Sequence, residues 1–330
     1  MPTLYIHIGH EKTGTTAIQR FCANNREKLE EYGVLYPSIG YQDFVHSSLV
    51  NCIHDLDNNT FLEFFPEGVD TEPENVWGEL VKNAASWDKD ILISSEHFIS
   101  RLREKGVEYI KAYLKANLPK YQVKIIAFLR RQDECYVSRL STLSKAGAVQ
   151  GVNFWESEVL NKNIYYDYYT LMKLWANAFG SNSIILREYD RESDVTKDIQ
   201  SIIFKSGYDL IDVKSNRENT SWSPVATHIG FKVNSICKRM SVVERRNKIN
   251  KINNLLYEHG EYKHTFNGYS LIDFVLAKRI NEIYHDSNRM LESEFYNGNR
   301  IFRELNDSEY TKTVSHLSDS DIIRALFKIV

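Results

Sequence analysis

The sequence predicts an α/β fold in which a central parallel sheet is flanked by helices, with a mainly helical C-terminal region. Short apolar runs typical of buried strands alternate with helical stretches as far as about residue 190. From about Pro224 onward the periodicity is mainly helical. We therefore interpret residues 1–223 as an α/β core and residues 224–330 as a helical extension packed on or beside that core.

The first strand, at residues 4–8, leads into a loop bracketed by glycines. Gly9 and Gly14 have the spacing of the phosphate-binding loop G-x-x-x-x-G-K-[ST], but Thr15 occupies the lysine position and the lysine stands earlier, as Lys12. Glycines permit a tight turn that points N–H groups at an anion, next to the positive end of a helix dipole. The sequence thus predicts a P-loop-like site for a phosphate or sulfate group. The residues expected to contact that group are Lys12, Thr13, Gly14, Thr15 and Thr16.

Four further strands follow, separated by helical stretches. The predicted strands are at residues 33–37, 90–97, 123–129 and 183–187. The clearest predicted helices are at residues 16–32, 104–117 and 165–179. Strands that alternate with helices are joined by right-handed crossovers, so we expect a parallel sheet covered on both faces.

Polar side chains cluster where these strands end. Ligands of open α/β sheets bind outside the carboxyl ends of the strands, which makes Arg130 a candidate anion ligand. Its guanidinium can bind phosphate oxygens in bidentate fashion, and the hydroxyl of Ser138 on the following helix can add a donor.

Three side chains are candidates for a general base. Glu96 and His97 lie at the end of a predicted strand, and His46 lies in a segment, at about residues 40–85, that we expect to cover the site. Histidine titrates near neutral pH, which suits proton transfer. The residues alone leave all three candidates open.

Composition narrows the function classes. The chain has 330 residues, with 41 Lys and Arg against 44 Asp and Glu, so we expect no nucleic-acid binding and only local anion sites. The four cysteines lack metal-ligand spacing, and we expect no metal. The strongest apolar run, residues 125–129, is too short to span a membrane. With no signal peptide apparent, the expectation is a soluble cytoplasmic protein.

Several segments resemble sulfotransferases. Lys12–Thr16 is similar to the K-[ST]-G-T-T loop with which that family binds the 5′-phosphosulfate of 3′-phosphoadenosine 5′-phosphosulfate (PAPS). Arg130 and Ser138 resemble the family's strand-end arginine and the serine eight positions later, which hold the 3′-phosphate; the family usually has Asn-Pro where this chain has Arg131-Gln132. Later segments resemble bacterial members of the family. They are Trp175–Gly180, Arg187–Arg191 and Asn219–Pro224.

The resemblance implies an enzyme that transfers a sulfuryl group from PAPS to an acceptor hydroxyl or amine without a metal. Lys12 would neutralise charge on the leaving phosphate oxygen, and His97, Glu96 or His46 would serve as base. The acceptor is not readable from the sequence; a saccharide is one candidate, and the oligomeric state is equally open. The alternatives are a P-loop nucleotide phosphotransferase, in which Glu96 helps to hold Mg²⁺, and a non-catalytic nucleotide-binding protein.

Overall fold

A computed structural model describes residues 1–58, 68–190, 193–204, 210–211, 222–258, 268–318 and 320. The predicted motif residues Arg191 and Asn219–Ser221 lie outside these ranges. The strands are β1 (Thr3–Gly9), β2 (Val34–Leu35), β3 (Asp90–Ser94), β4 (Gln122–Leu129), β5 (Ile184–Glu188), β6 (Tyr269–Ser270) and β7 (Lys312–Thr313).

The helices begin directly after β1 and continue through the C-terminal region. They are α1 (Thr15–Asn24), α2 (Arg26–Glu31), α3 (Ser48–Asn51), α4 (Asp55–Asn58), α5 (Pro73–Ala85), α6 (His97–Arg101), α7 (Glu104–Asn117), α8 (Gln132–Lys145), α9 (Val152–Leu160), α10 (Tyr168–Phe179), α11 (Val195–Ile203), α12 (Pro224–Ile236), α13 (Val242–Glu258) and α14 (Phe274–Phe295). Within the described ranges, no helix combines the length and the hydropathy needed to cross a bilayer.

The chain divides into two compact units that interleave along the sequence. The first comprises Met1–Arg130, Asp167–Arg217 and Ser287–Ile301, and the second comprises Arg131–Tyr166, Glu218–Asp286 and Phe302–Val330. This partition assigns α8 and α9, which lie within the predicted core of residues 1–223, to the same unit as α12. The expectation that residues 224–330 form an extension packed on or beside the core stays a prediction.

The first unit contains a five-stranded parallel sheet with the order β2-β3-β1-β4-β5. Helices flank the sheet, so the predicted α/β class is confirmed. All five residues from Ile125 to Leu129 of β4 are buried, as expected for a strand covered on both faces. On one face, Ile18 and Phe21 of α1 and Ile199 of α11 share an apolar core with Phe128.

The strand order creates a switch point beside β1. The chain leaves β1 towards β2 on one side, whereas it leaves the adjacent β4 towards β5 on the other side. Connections that diverge from neighbouring strands open a crevice at their carboxyl ends, where ligands of such sheets bind. The loop after β1 and Arg130, which follows β4, both lie at this edge.

The second unit has its own apolar core. The described members of that core lie mainly on α8, α9, α12 and the first half of α14, and β6 and β7 form a short parallel pair beside them. Tyr136 and Leu140 of α8 pack in this core with Ile229 of α12 and Tyr284 of α14. The core therefore holds α8, the helix that carries Ser138.

Candidate functional site

Two glycines shape the loop between β1 and α1. Gly9 has a φ of 86°, and a Cβ at this position would come within 2.8 Å of the Glu96 Cα atom. Gly14 has a φ of 77°, and its Cβ would come within 2.8 Å of Val195 Cγ1. Lys12, between them, also has a left-handed φ of 67°. A left-handed conformation is strained for lysine, and it persists only where the surrounding structure fixes it. The loop is therefore held in this conformation by its neighbours.

Hydrogen bonds to the carbonyl oxygen of His10 fix the interior of the loop. The hydroxyls of Thr13 and Thr15 donate to that oxygen over 2.6 and 3.1 Å, and the His10 N–H donates to the carbonyl oxygen of Phe128 over 3.2 Å. Both threonines are buried, whereas Thr16 is half-buried. The hydroxyls of Thr13 and Thr15 are thus used within the loop, and these residues can offer an anion only their backbone N–H groups.

The start of α1 has backbone N–H groups that precede the first intrahelical hydrogen bonds. Ala17 and Ile18 donate the first intrahelical hydrogen bonds, both to the carbonyl oxygen of Gly14, over 2.9 and 3.1 Å. Gly14 supplies no capping side chain. The N–H groups of Thr15 and Thr16 lie in the first turn, where the helix itself provides no carbonyl partner. The helix dipole adds partial positive charge at the same point. With the exposed ammonium of Lys12 nearby, the loop can bind an anion.

Two tyrosines connect this loop to Arg130. The guanidinium carbon of Arg130 lies 5.6 Å from the ring centre of Tyr189, and Cε2 of the same ring lies 3.0 Å from the Cβ position of Gly14. The Tyr168 hydroxyl donates to the carbonyl oxygen of Arg130 over 2.7 Å, and its ring meets His10 edge-on at 5.4 Å. Arg130 is only 3% exposed, so its guanidinium lies within the protein beside the Tyr189 ring.

Sequence reasoning assigned no role to Tyr189 or Tyr168. Tyr168 is completely buried, and its hydroxyl bonds to the main chain, so it packs within the protein. Tyr189 follows the last residue of β5, and its N–H donates to the carbonyl oxygen of Leu129 over 2.7 Å. Its position two residues past the strand predicted at residues 183–187 was the signal that could have identified it.

Glu96 and His97 lie at the end of β3, close to the loop. Gln19 donates to Glu96 Oε2 over 3.1 Å. His97 Nδ1 is buried and has no hydrogen-bond partner among the described residues. Burial lowers the pKa of His97, and Arg101 lowers it further, whereas Glu96 and Glu11 oppose the shift. The imidazole is therefore neutral at pH 7 and has a nitrogen that can accept a proton.

Glu11 is an ionised carboxylate beside two histidines. Burial alone would raise the pKa of Glu11, but electrostatic interaction with His10, a hydrogen bond with Ser100 and electrostatic interaction with His97 together lower it. A carboxylate in this position favours the protonated form of a neighbouring imidazole. No role for Glu11 was assigned from the sequence, although it lies in the loop after β1, which was predicted to bind an anion.

His46 is bound at both ring nitrogens by the main chain. Nδ1 accepts the N–H of Ser94 over 3.0 Å, and Nε2–H donates to the carbonyl oxygen of Pro37 over 2.8 Å. Burial lowers the pKa of His46 to about 4. Because both nitrogens are occupied by backbone groups, we do not include His46 among the candidates for the base.

Ser138 lies on α8 in the second unit. It is 2% exposed, and its Oγ has no hydrogen-bond partner in the part of the chain that the structure describes. The serines one and two turns later do have partners: Ser141 Oγ accepts the N–H of Trp222 over 3.2 Å, and Ser144 Oγ donates to the carbonyl oxygen of Thr227 over 3.0 Å. A buried unpaired hydroxyl is costly, which is consistent with a ligand contact. Since Arg130 belongs to the first unit, joint contact of Arg130 and Ser138 with one phosphate stays a prediction.

Comparisons with known proteins find similar chains but no matching family model. No family model matches the chain. An uncharacterized protein of Archaeoglobus fulgidus is 27% identical over 214 residues, which are 62% of this chain and 54% of that protein, so the chain spans about half the length of the curated relative it matches. The crystal structure of a sulfotransferase from Alicyclobacillus acidocaldarius is 13% identical, with a TM-score of 0.38 over 66% of this chain and 87% of that chain. Neither similarity assigns the chain to a family.

Proposed function

We propose that this protein is a PAPS-dependent sulfotransferase that transfers a sulfuryl group to an acceptor hydroxyl or amine. The loop Gly9–Thr16 is the observation that carries the proposal. It holds Lys12 in a left-handed conformation between two left-handed glycines and leads directly into α1. Its sequence K-T-G-T-T resembles the loop that binds the 5′-phosphosulfate in sulfotransferases.

In the proposed reaction, the bond between sulfur and the oxygen of the 5′-phosphate breaks, and a bond between sulfur and the acceptor oxygen or nitrogen forms. Backbone donors of Thr15 and Thr16 bind the phosphate, and Lys12 balances the negative charge that develops on the leaving oxygen. As in phosphoryl transfer, such catalysis consists mainly of positioning and charge stabilisation.

The acceptor must lose a proton, and His97 is the base we favour. Its Nδ1 has no hydrogen-bond partner among the described residues, whereas a carboxylate oxygen of Glu96 already accepts a hydrogen bond from Gln19. Glu11 is ionised and lies close enough to lower the cost of charging His97 once the proton has moved. Glu96 is then a residue that shapes the site by its contact with Gly9.

Arg130 is the proposed ligand of the 3′-phosphate, with Ser138 as its partner predicted from the sequence. A guanidinium is always charged, and its planar set of donors matches phosphate oxygens. Tyr189 and Tyr168 support the side chain and the carbonyl group of Arg130, respectively. Arg130 follows β4, which is paired with β1, so the two proposed phosphate contacts come directly after neighbouring strands.

The experiment that tests this function is incubation with PAPS labelled in the sulfuryl group and a pool of saccharide, phenol and amine acceptors. Wild type should label an acceptor in the presence of a chelator, and Lys12→Ala should not. A second arm supplies ATP with Mg²⁺. Phosphoryl transfer in that arm, abolished by the chelator, would instead favour the nucleotide phosphotransferase.

A further inference from the structure

The turn between α12 and α13, in the second unit, exposes two aliphatic side chains. Ile236, the last residue of α12, is 82% exposed, and Val243, the second residue of α13, is 65% exposed. Single exposed aliphatic residues are ordinary, but these two flank one short turn and are accompanied by exposed cations. The α12–α13 surface, as we call it, consists of Ile236, Lys238, Arg239, Val243 and Arg246.

Helical spacing places part of this surface on the outward side of α13. Arg245 and Ile249, four residues apart, are 6% and 1% exposed, so they lie on the inward side of the helix. Val243 and Arg246, three residues apart, are both exposed and share the outward side. An aliphatic side chain and a guanidinium group therefore face solvent together.

Hydrogen bonds fix the turn that carries this surface. Arg245 Nη2 donates to the carbonyl oxygen of Gly147 over 3.0 Å, and Nη1 donates to the carbonyl oxygen of Met240. Ser241 caps α13, because its hydroxyl oxygen accepts the N–H of Glu244 over 3.2 Å and Glu244 Oε2 accepts the N–H of Ser241 over 2.9 Å. The surface is thus formed in advance, and binding a partner requires little ordering of the chain.

The charge of this surface is positive. Lys238, Arg239 and Arg246 are exposed, and none of them has an ion pair in the part of the chain that the structure describes. Glu244 is the one acid in the sequence between residues 236 and 251, and its carboxylate is bonded within the helix cap. An anionic partner would therefore meet positive charge that no neighbouring acid compensates.

We propose that the α12–α13 surface binds the face of a bilayer that contains anionic lipids. The aliphatic side chains of Ile236 and Val243 enter the boundary between headgroups and acyl chains, and the surrounding cations attract the anionic headgroups. A nucleic acid or an acidic polymer would attract the cations equally, but it would offer the aliphatic side chains no apolar environment. A bilayer accounts for both features. The inference is independent of the proposed sulfuryl transfer.

The test is co-sedimentation of the full chain with vesicles of phosphatidylglycerol and phosphatidylcholine, or of phosphatidylcholine alone. Wild type should bind the anionic vesicles about tenfold or more tightly than the neutral ones, and added salt should weaken that binding. Lys238→Ala combined with Arg239→Ala should weaken it by about fivefold for each cation lost. Ile236→Ser combined with Val243→Ser should weaken it by about tenfold, because apolar insertion is lost.

A matched pair of double variants controls for general effects of surface substitution. Val243→Ser with Arg246→Ala removes a valine and a cation three residues apart from the proposed surface. Val275→Ser with Lys278→Ala removes the same kind of pair from α14, where Val275 is 74% exposed and Lys278 is paired with Glu282. Only the first double variant should lose affinity for the anionic vesicles.

Four results would overturn the inference. The first is that wild type does not sediment with anionic vesicles, and the second is that the two matched double variants lose equal affinity. The third is full binding by Ile236→Ser with Val243→Ser, which would indicate electrostatic adsorption without insertion. The fourth is release of wild type from the vesicles by polyglutamate at a lower concentration than by soluble glycerol phosphate, together with no effect of the aliphatic substitutions on polyglutamate binding; that result would assign the surface to an acidic protein.

Discussion

The guanidinium carbon of Arg130 lies 5.6 Å from the centre of the Tyr189 ring, and that ring also abuts the α-carbon face of Gly14. One side chain therefore contacts both proposed phosphate-binding regions of the first unit. A cation over an aromatic face is attracted by the ring, by about 0.5–2 kcal/mol depending on desolvation. Tyr189 thus lies against Arg130 and, together with Val195, occupies the space that a side chain at position 14 would need.

Replacement of Lys12 by alanine should reduce turnover far more than nucleotide affinity. The ammonium balances charge that appears mainly in the transition state, so we expect a fall in kcat of about a hundredfold or more. The dissociation constant of adenosine 3′,5′-bisphosphate should change only a few-fold. Single-turnover sulfuryl transfer and calorimetry measure the two quantities. Lys111→Ala, which removes an exposed lysine of α7 paired with Glu108, is the control; turnover by Lys12→Ala equal to that of the control would remove Lys12 from the mechanism.

Gly14→Ala should destabilise the protein and impair nucleotide binding. The new methyl group would meet Val195 and Tyr189 at 2.8 and 3.0 Å, in addition to the strain of a φ of 77°. Left-handed strain alone costs about 1–3 kcal/mol. Gly298→Ala is the control, because Gly298 has a φ of 73° and no atom within 4 Å of its Cβ position. Denaturant unfolding should show the larger loss for Gly14→Ala; equal losses would mean that the contact with Tyr189 does not constrain the loop.

The pH dependence of turnover should identify His97. The imidazole acts as a base when neutral, and burial lowers its pKa from the usual 6.5. Activity should therefore be level through neutral pH and fall on the acid side, at a pH below 6.5. The acid limb of kcat/KM should be absent in His97→Gln, which should also be much slower. An unchanged acid limb in that variant would assign it to another group.

His46 should make the protein less stable in acid. Burial lowers the pKa of His46 to about 4 in the folded state, so the unfolded chain binds a proton first as the pH falls below 6.5. Folding stability is then lost as the pH falls from about 6.5 to 4, by up to about 3 kcal/mol from this residue. Denaturant unfolding across that range should show a shallower loss in His46→Gln than in wild type. Parallel pH profiles for the two proteins would rule out this contribution.

Local patterns predicted the strands, the left-handed glycines and the strand-end arginine, because each depends on residues close together in the sequence. Contacts between distant residues could not be predicted in this way. The hydroxyls of Thr13 and Thr15 turn inward because the carbonyl oxygen of His10 accepts both of them. Likewise, the occupied ring of His46 depends on Ser94, 48 residues away.

The pairing of Arg131 also depends on residues that are distant in the sequence. From the sequence, Arg130 was the candidate anion ligand, and Arg131 beside it was assigned no role. Glu309, 178 residues later, binds Arg131, and Tyr310 binds its partner Asp133. Asp133 lies two residues after Arg131, but the contacts of Glu309 and Tyr310 with this pair could not be predicted from the local sequence.

Recognition of the 3′-phosphate tests the central claim most directly, because it needs no knowledge of the acceptor. The measurement compares dissociation constants of adenosine 3′,5′-bisphosphate and adenosine 5′-monophosphate for wild type and Arg130→Ala. Arg26→Ala, which removes an arginine beyond the far end of α1, is the control. Charge-assisted hydrogen bonds contribute about 1.5–3 kcal/mol each, so wild type and the control should prefer the bisphosphate by about a hundredfold or more. Arg130→Ala should lose most of that preference and bind the monophosphate almost unchanged. Equal binding of the two nucleotides by wild type would contradict the assignment of a PAPS-dependent sulfotransferase.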